Sequence, residues 1–369
     1  MDRLHFLLPT EVIAAPNCVL QTSMRWICGR KALIVTGKTG AKSAGALADV
    51  TKALEIHGVA FVQFDGVESN PSAEQIYSGA TIAHDQECDF VIGVGGGSVL
   101  DAAKAIAWVV GSKIPREQFF ARKPGGSDCV LPIVAIPLTC GTGSEVTPYS
   151  IITDHEVKTK VNISSVAFFP KFALLDARYV ESLPLQVVCD TALDALSHAV
   201  EGAYSLKADT FSLAMSEEAI RKIVPELVRL AHGAYVNRGE LLYASMVAGI
   251  VIAQTGTGLV HAMGYPLTYY RNVPHGRANG LLLAGYLAFM GRSCGPLTSR
   301  LLQVAGLESP ETLLALVDAL FDTLQCEREA PSEEELVRFA REPLRLDVVR
   351  RYRAMPSPND VMDIYRMAF

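Results

Sequence analysis

FVIGVGGGSVLDAAKAIAWVV (90–110) decides the fold. The run FVIGVG is apolar, short and bounded by glycine, which reads as a buried strand. VLDAAKAIAWVV behind it carries apolar residues at helical spacing. Between them, Gly95, Gly96 and Gly97 let backbone N–H groups approach a phosphate closely, and the helix start behind them bears a partial positive charge. Ser98 is placed to cap that helix, with Asp101 three residues on as the partner in a capping box, and both count with the glycines as dinucleotide-binding candidates. The pattern is not a strict G-x-G-x-x-G, because Ser98 stands where the last glycine would be. A plain tight turn before a helix is the alternative to pyrophosphate binding.

The same alternation continues on both sides. Upstream, KALIVTG (31–37) and VAFVQFDGV (59–67) read as strands, each followed by a helical stretch (44–58 and 70–86). Downstream, LPIVAIPL (131–138) is a fourth strand. Strands alternating with helices imply β-α-β units and a parallel sheet, here a Rossmann-like doubly wound domain. Beyond about residue 185 strand signals nearly vanish, and stretches such as 192–205, 211–235, 239–254 and 311–324 repeat apolar residues at i, i+3, i+4. The expectation is an α/β plus all-α chain, with a dinucleotide-binding domain over 1–184, a helical-bundle metal-binding domain over 185–369, and a ligand cleft between the two.

Length and composition agree. The chain has 369 residues, enough for two domains at about 150 each. Half its residues are hydrophobic, a fifth are charged, and the mean hydropathy is +0.24, which excludes a disordered chain. The net charge of −6, without a basic block, argues against a nucleic-acid partner. The N-terminus is not a convincing signal peptide, and the eight cysteines form no C-x-x-C pair, so a reduced, cytoplasmic setting is expected. Residues 241–270 contain no Asp, Glu, Lys or Arg, the mark of a membrane span. Gln254, Thr255, Gly256, Thr257, Gly258 and His261 interrupt them, so a buried core helix followed by a polar turn is the favoured reading and no membrane is expected.

Two further regions carry chemistry. PLTCGTGSEVTPYS (137–150) is a second small-residue turn after a strand, whose hydroxyls on Thr139, Thr142, Ser144 and Thr147 are able to contact phosphate, ribose or nicotinamide. On local chemistry alone a loop with no ligand fits as well. In DTALDALSHAVEG, Asp194 and His198 are four apart on one helix face. His261 ends the long apolar stretch, and His275 follows in a Pro-His-Gly turn. One carboxylate and three imidazoles suit iron(II) or zinc rather than calcium or magnesium, though Asp-x-x-x-His pairs on helices are usually structural.

Together GGGSVLDAAKAIA, PLTCGTGSEVT, DALSHAVEGAYS and HAMGYPLTYYRNVPHGRANG resemble, in order and over nearly the whole chain, the iron-containing (group III) alcohol dehydrogenases, whose fold is that of dehydroquinate synthase. The ending MPSPNDVMDIYRMAF is similar to that family's last helix. The resemblance implies a metal held by Asp194, His198, His261 and His275. It places Gly96, Gly97, Ser98, Thr139, Thr147 and Lys160 around the dinucleotide, and it implies a homodimer or larger homo-oligomer. The implied reaction is hydride transfer between NADP (or NAD) and a small alcohol/aldehyde substrate, with iron(II) or zinc as Lewis acid on the substrate oxygen.

Two departures stand out. Many members carry a second histidine, in a His-Pro pair, four residues after the first. Here that place is Tyr265, the candidate for proton handling beside His275. NAD-preferring members often carry an aspartate after the first strand. Here it is Gly37, followed by Lys38 and then Lys42, which favours NADP. The rival readings are a dehydroquinate synthase-like lyase, a metal-free maleylacetate reductase-like enzyme, and a non-catalytic dinucleotide binder.

Overall fold

A computed structural model describes residues 4–125, 128–156 and 159–369. The chain divides into two compact units.

The first unit comprises Leu8–Thr139 and Gly143–Ser182. In chain order it runs β1 (Glu11–Ala14), the short helices α1 (Cys18–Gln21) and α2 (Ser23–Trp26), β2 (Lys31–Thr36), the single turn α3 (Gly40–Ser43), α4 (Ala46–Ile56), β3 (Ala60–Phe64), α5 (Ala73–Asp85), β4 (Phe90–Gly95), α6 (Gly97–Ser112), β5 (Ile133–Pro137), β6 (Tyr149–Asp154), β7 (Thr159–Ser164) and β8 (Phe172–Leu175). The main sheet has order β1-β8-β5-β4-β2-β3, and every pairing in it is parallel. β6 and β7 form a separate antiparallel pair.

The apolar runs are continuous because the central strands are covered on both faces. Ala32 and Ile34 of β2 pack with α4, while Leu33 and Val35 pack with α5 and α6. β2 continues into α4 on one face and β4 into α6 on the other. The turns after these neighbouring strands therefore diverge, and that divergence is the switch point where open α/β sheets bind ligands. Close packing of α6 on β4 depends on missing side chains. A Cβ on Gly93 would stand 3.0 Å from the Ala103 Cβ, and one on Gly95 only 2.5 Å from the Val99 Cβ.

The second unit comprises Leu183–Phe369, Cys140–Thr142 and the described part of Met1–Leu7. It is built of α7 (Leu185–Tyr204), α8 (Thr210–Ala231), α9 (Arg238–Thr255), α10 (Leu259–Arg271), α11 (His275–Ala305), α12 (Pro310–Leu324), α13 (Glu333–Arg341) and α14 (Pro358–Ala368). The uncharged stretch 241–270 is not one helix. α9 ends at Gly256, whose φ of 78° suits glycine alone, and α10 leaves at 110° to it. Among the described residues no single helix is long and apolar enough to cross a membrane.

Candidate active site

In the α/β unit the glycine turn lies at the divergence between β2 and β4. Gly96 itself caps α6, with Gly97 and Ser98 as the first two helical residues. This corrects the expectation that Ser98 and Asp101 form a capping box. Asp101 is buried and faces the 144–151 segment, where its carboxylate accepts from the Ser144 hydroxyl at 2.6 Å and the Ile151 N–H at 2.9 Å. The N-terminal turn of α6 is left with glycine backbone at its tip, the arrangement that admits an anion.

The second candidate turn sits alongside, because β4 and β5 are neighbours. A Cβ on Gly96 would lie 3.0 Å from the Thr139 methyl. Thr147 is buried, and its hydroxyl accepts at 3.4 Å from Lys104, a residue that sequence reading passed over. Lys104 is wholly buried on α6. It also donates to the Ser144 hydroxyl at 2.7 Å and the Tyr149 carbonyl at 2.8 Å, pinning the 144–149 loop to the helix behind the glycine turn. Burial pulls its amine down to about 8, against the pull of Asp101 and Glu145. Glu145, equally buried, is pushed up to about 7 by burial. Lys160 lies half-buried on β7, paired with Thr153. Thr142 groups with the helical unit. Gly37 follows β2, and exposed Lys38 meets the equally exposed Asp65 at 3.4 Å.

In the helical unit three helices converge. Asp194 and His198 lie one turn apart on α7, His261 sits in the first turn of α10, and His275 is the first residue of α11. The Oδ1 of Asp194 is 3.9 Å from His198 Nε2, 3.7 Å from His261 Nε2 and 3.8 Å from His275 Nε2. Ligand atoms of Asp194, His261 and His275 all lie within 4.8 Å of one another. Such distances exceed hydrogen bonds. They approach the roughly 3.4 Å edge of a tetrahedron whose ligands stand about 2.1 Å from an ion. The donor set and its spacing therefore fit a borderline divalent metal, with His198 the outlying member.

The electrostatics agree with that fit. Burial draws His198 down to about 4, so its imidazole is neutral and able to donate a lone pair. Burial alone would raise Asp194, but the three imidazoles and the Asn279 amide outweigh it and hold the carboxyl below its ordinary value.

Further residues escaped the sequence reading. Asn279 donates to Asp194 Oδ1 at 2.9 Å. Arg277 grips Asp190 with two hydrogen bonds, at 2.9 and 3.1 Å. Gly276 lets α11 abut α7, since a Cβ there would fall 1.8 Å from the Asp190 carbonyl oxygen. Glu201, fully buried, lies on the Asp194–His198 stripe of α7 and accepts from His261 Nδ1 at 2.5 Å. Its signal was present: a carboxylate seven residues after Asp194, on the helix face that also carries Asp190 and His198. Tyr265 is half-buried, its ring stacked on His275 with centroids 5.9 Å apart and planes 19° from parallel.

The profile described as "Iron-containing alcohol dehydrogenase" matches residues 9–177. "Fe-containing alcohol dehydrogenase family, C-terminal" matches 188–341. An NADPH-dependent butanol dehydrogenase from Clostridium saccharobutylicum is 29% identical, over 79% of this chain and 75% of its own. A lactaldehyde reductase from Escherichia coli is 33% identical, over 79% of this chain and 78% of its own. The crystal structure of an iron-containing alcohol dehydrogenase from Thermotoga maritima superposes with a TM-score of 0.89 at 35% identity, covering 99% of each chain.

Proposed function

The chain belongs to the iron-containing alcohol dehydrogenase family and is an oxidoreductase acting on alcohols and aldehydes, and on that premise we propose that it interconverts a small primary alcohol and its aldehyde with NADP as the preferred hydride carrier. The relatives' names give no support to the lyase or the metal-free reductase. The observation that carries the proposal is the convergence of Asp194, His261 and His275, with His198 beside them, from three separate helices.

Asp194, His198, His261 and His275 would hold the metal, iron(II) or zinc by donor type. When bound, such an ion supplies Lewis acidity toward a substrate oxygen. The residues of the chain do the rest. The Gly95–Gly96–Gly97 turn and Ser98 would receive the pyrophosphate at the start of α6. Thr139 and Lys160 would contact the cofactor, and Lys104 holds the loop carrying Thr147 in place behind the glycine turn. Tyr265, stacked on His275, exchanges the substrate proton at its Oη. Gly37 offers no carboxylate to repel a 2′-phosphate, and the exposed Lys38–Asp65 pair costs little to open toward one. That reading agrees with the NADPH dependence in the butanol dehydrogenase's name. No disulfide joins the eight cysteines, all of them among the described residues, which suits a cytoplasmic enzyme, and we place it there as a homodimer.

The test is oxidation of NADPH and NADH with a panel of short aldehydes, using metal-stripped protein before and after anaerobic addition of iron(II) or zinc. Turnover that depends on the ion and prefers NADPH is expected. Turnover indifferent to the ion would overturn the metal assignment.

A further inference from the structure

We infer that Glu201 is a positioning residue that fixes the proton of His261 on Nδ1 and so turns its Nε2 into a metal ligand; this rests on the metal-site reading above. A carboxylate with no exposure needs partners for both oxygens. Glu201 has them. Oε1 accepts from the Val260 N–H at 2.6 Å and Oε2 from His261 Nδ1 at 2.5 Å. Val260 is the second residue of α10, and its N–H is one of the donors that a helix start leaves unsatisfied. The N-cap, Gly258, has no side chain to serve it, so Glu201 caps α10 from α7. The positive end of the helix in turn favours the buried charge.

An ionised carboxylate only accepts, so the proton in the second bond belongs to His261. Neutral imidazole carries one proton. With it on Nδ1, the lone pair is on Nε2, the atom that faces Asp194 Oδ1 at 3.7 Å. Glu201 also matches charge: with Asp194 it provides the two negative charges that balance a divalent ion.

Glu201→Gln has the same shape but a different hydrogen-bond logic. The amide has one acceptor and one donor end. The Val260 N–H can only donate, so it takes the amide oxygen and leaves the NH2 facing His261 Nδ1. The histidine proton must then move to Nε2, where it blocks the lone pair. A purely structural role would instead lower stability and leave both tautomer and affinity unchanged.

The test uses the full chain stripped of metal. Nitrogen-15 spectra of labelled histidine report the His261 tautomer, assigned by its loss in His261→Asn, and competition against a chromophoric chelator gives the zinc Kd. The wild type should carry the Nδ1 proton. Glu201→Gln should carry it on Nε2 and bind zinc about 10–100-fold more weakly, with unchanged circular dichroism in chelator. A wild-type Nε2 proton overturns the inference, and this measurement decides alone if the variant fails to fold. Equal zinc affinity in wild type and variant overturns the inference but leaves the metal-site reading standing. No zinc binding by the wild type overturns both.

Discussion

The two units build their candidate sites from opposite materials. In the α/β unit the glycine turn works through atoms that are absent, at Gly95 and Gly96, so that backbone is laid bare at the start of α6. In the helical unit the site works through atoms that are present, imidazoles and carboxylates brought from α7, α10 and α11. A backbone site is damaged by adding a methyl group, and a side-chain site by removing a ring. Each kind of damage should therefore be silent in the other unit's assay.

The largest effect is expected at the histidines. His261→Ala or His275→Ala should lose bound metal and lower kcat by roughly 10³-fold, since several kcal/mol of stabilisation go with the ion. Nucleotide affinity, read by fluorescence titration, should be unchanged, and a fall there would erase the contrast. Gly96→Val is the mirror experiment. Its Cβ would press on Thr139 at 3.0 Å, and the nucleotide KM should rise roughly 10–100-fold. Metal content by elemental analysis should stay at the wild-type level.

Two substitutions sharpen the contrast. Gly264→Ala tests a missing side chain inside the side-chain site, because its Cβ would stand 2.3 Å from Asn279 Oδ1 and displace the amide that holds Asp194. Zinc affinity should fall about tenfold. Gly37→Asp should move the kcat/KM ratio for NADPH over NADH toward NADH by about tenfold, and an unmoved ratio would remove Gly37 from nucleotide selection.

The smallest effect is on stability. Burial holds Glu145 up at about 7 in the folded protein, against an ordinary 4.5. Its contribution is fully present below the ordinary value and is lost as pH rises through about 7. Glu145→Gln removes that loss. Its Tm should exceed the wild type's by a few degrees more at pH 8 than at pH 5, from a difference on the order of 2 kcal/mol. A pH-independent difference would mean that Glu145 is ionised in the folded state at both values.

The contrast also explains what could be read from sequence. The four strands at residues 31–37, 59–67, 90–95 and 131–138 announced themselves because each is an apolar run closed by a turn, a local signal. β1, β8 and the β6–β7 pair did not. EVIA and FALL are four residues each, and four of the six residues in TKVNIS are polar. Asp194 and His198 share a helix face by their spacing, and ligand chemistry sets His261 and His275 beside them, but only the motif order that makes the chain resemble a family singles the four out as one ligand set. Ser98 and Asp101 fit a capping box by their S-x-x-D spacing, yet the cap lies two residues earlier, at Gly96, and the helix begins at Gly97. The partners of the buried polar groups, Lys104 with Ser144 and Glu201 with Val260, depend on how helices pack, which periodicity does not encode.

The clasp between α7 and α11 has a consequence for how the protein acquires its ion. Gly276 seats one helix on the backbone of the other, and Arg277 locks to Asp190, with none of the candidate ligand atoms engaged in either contact. Neither contact needs an ion, so on the proposed reading the two helices should stay clasped when the metal is stripped. A donor set of one carboxylate and three imidazoles would do little to refuse zinc, cobalt or nickel in place of iron. Which metal such a site carries would then be a matter of cellular supply, and the same polypeptide raised on different growth media should carry different ions.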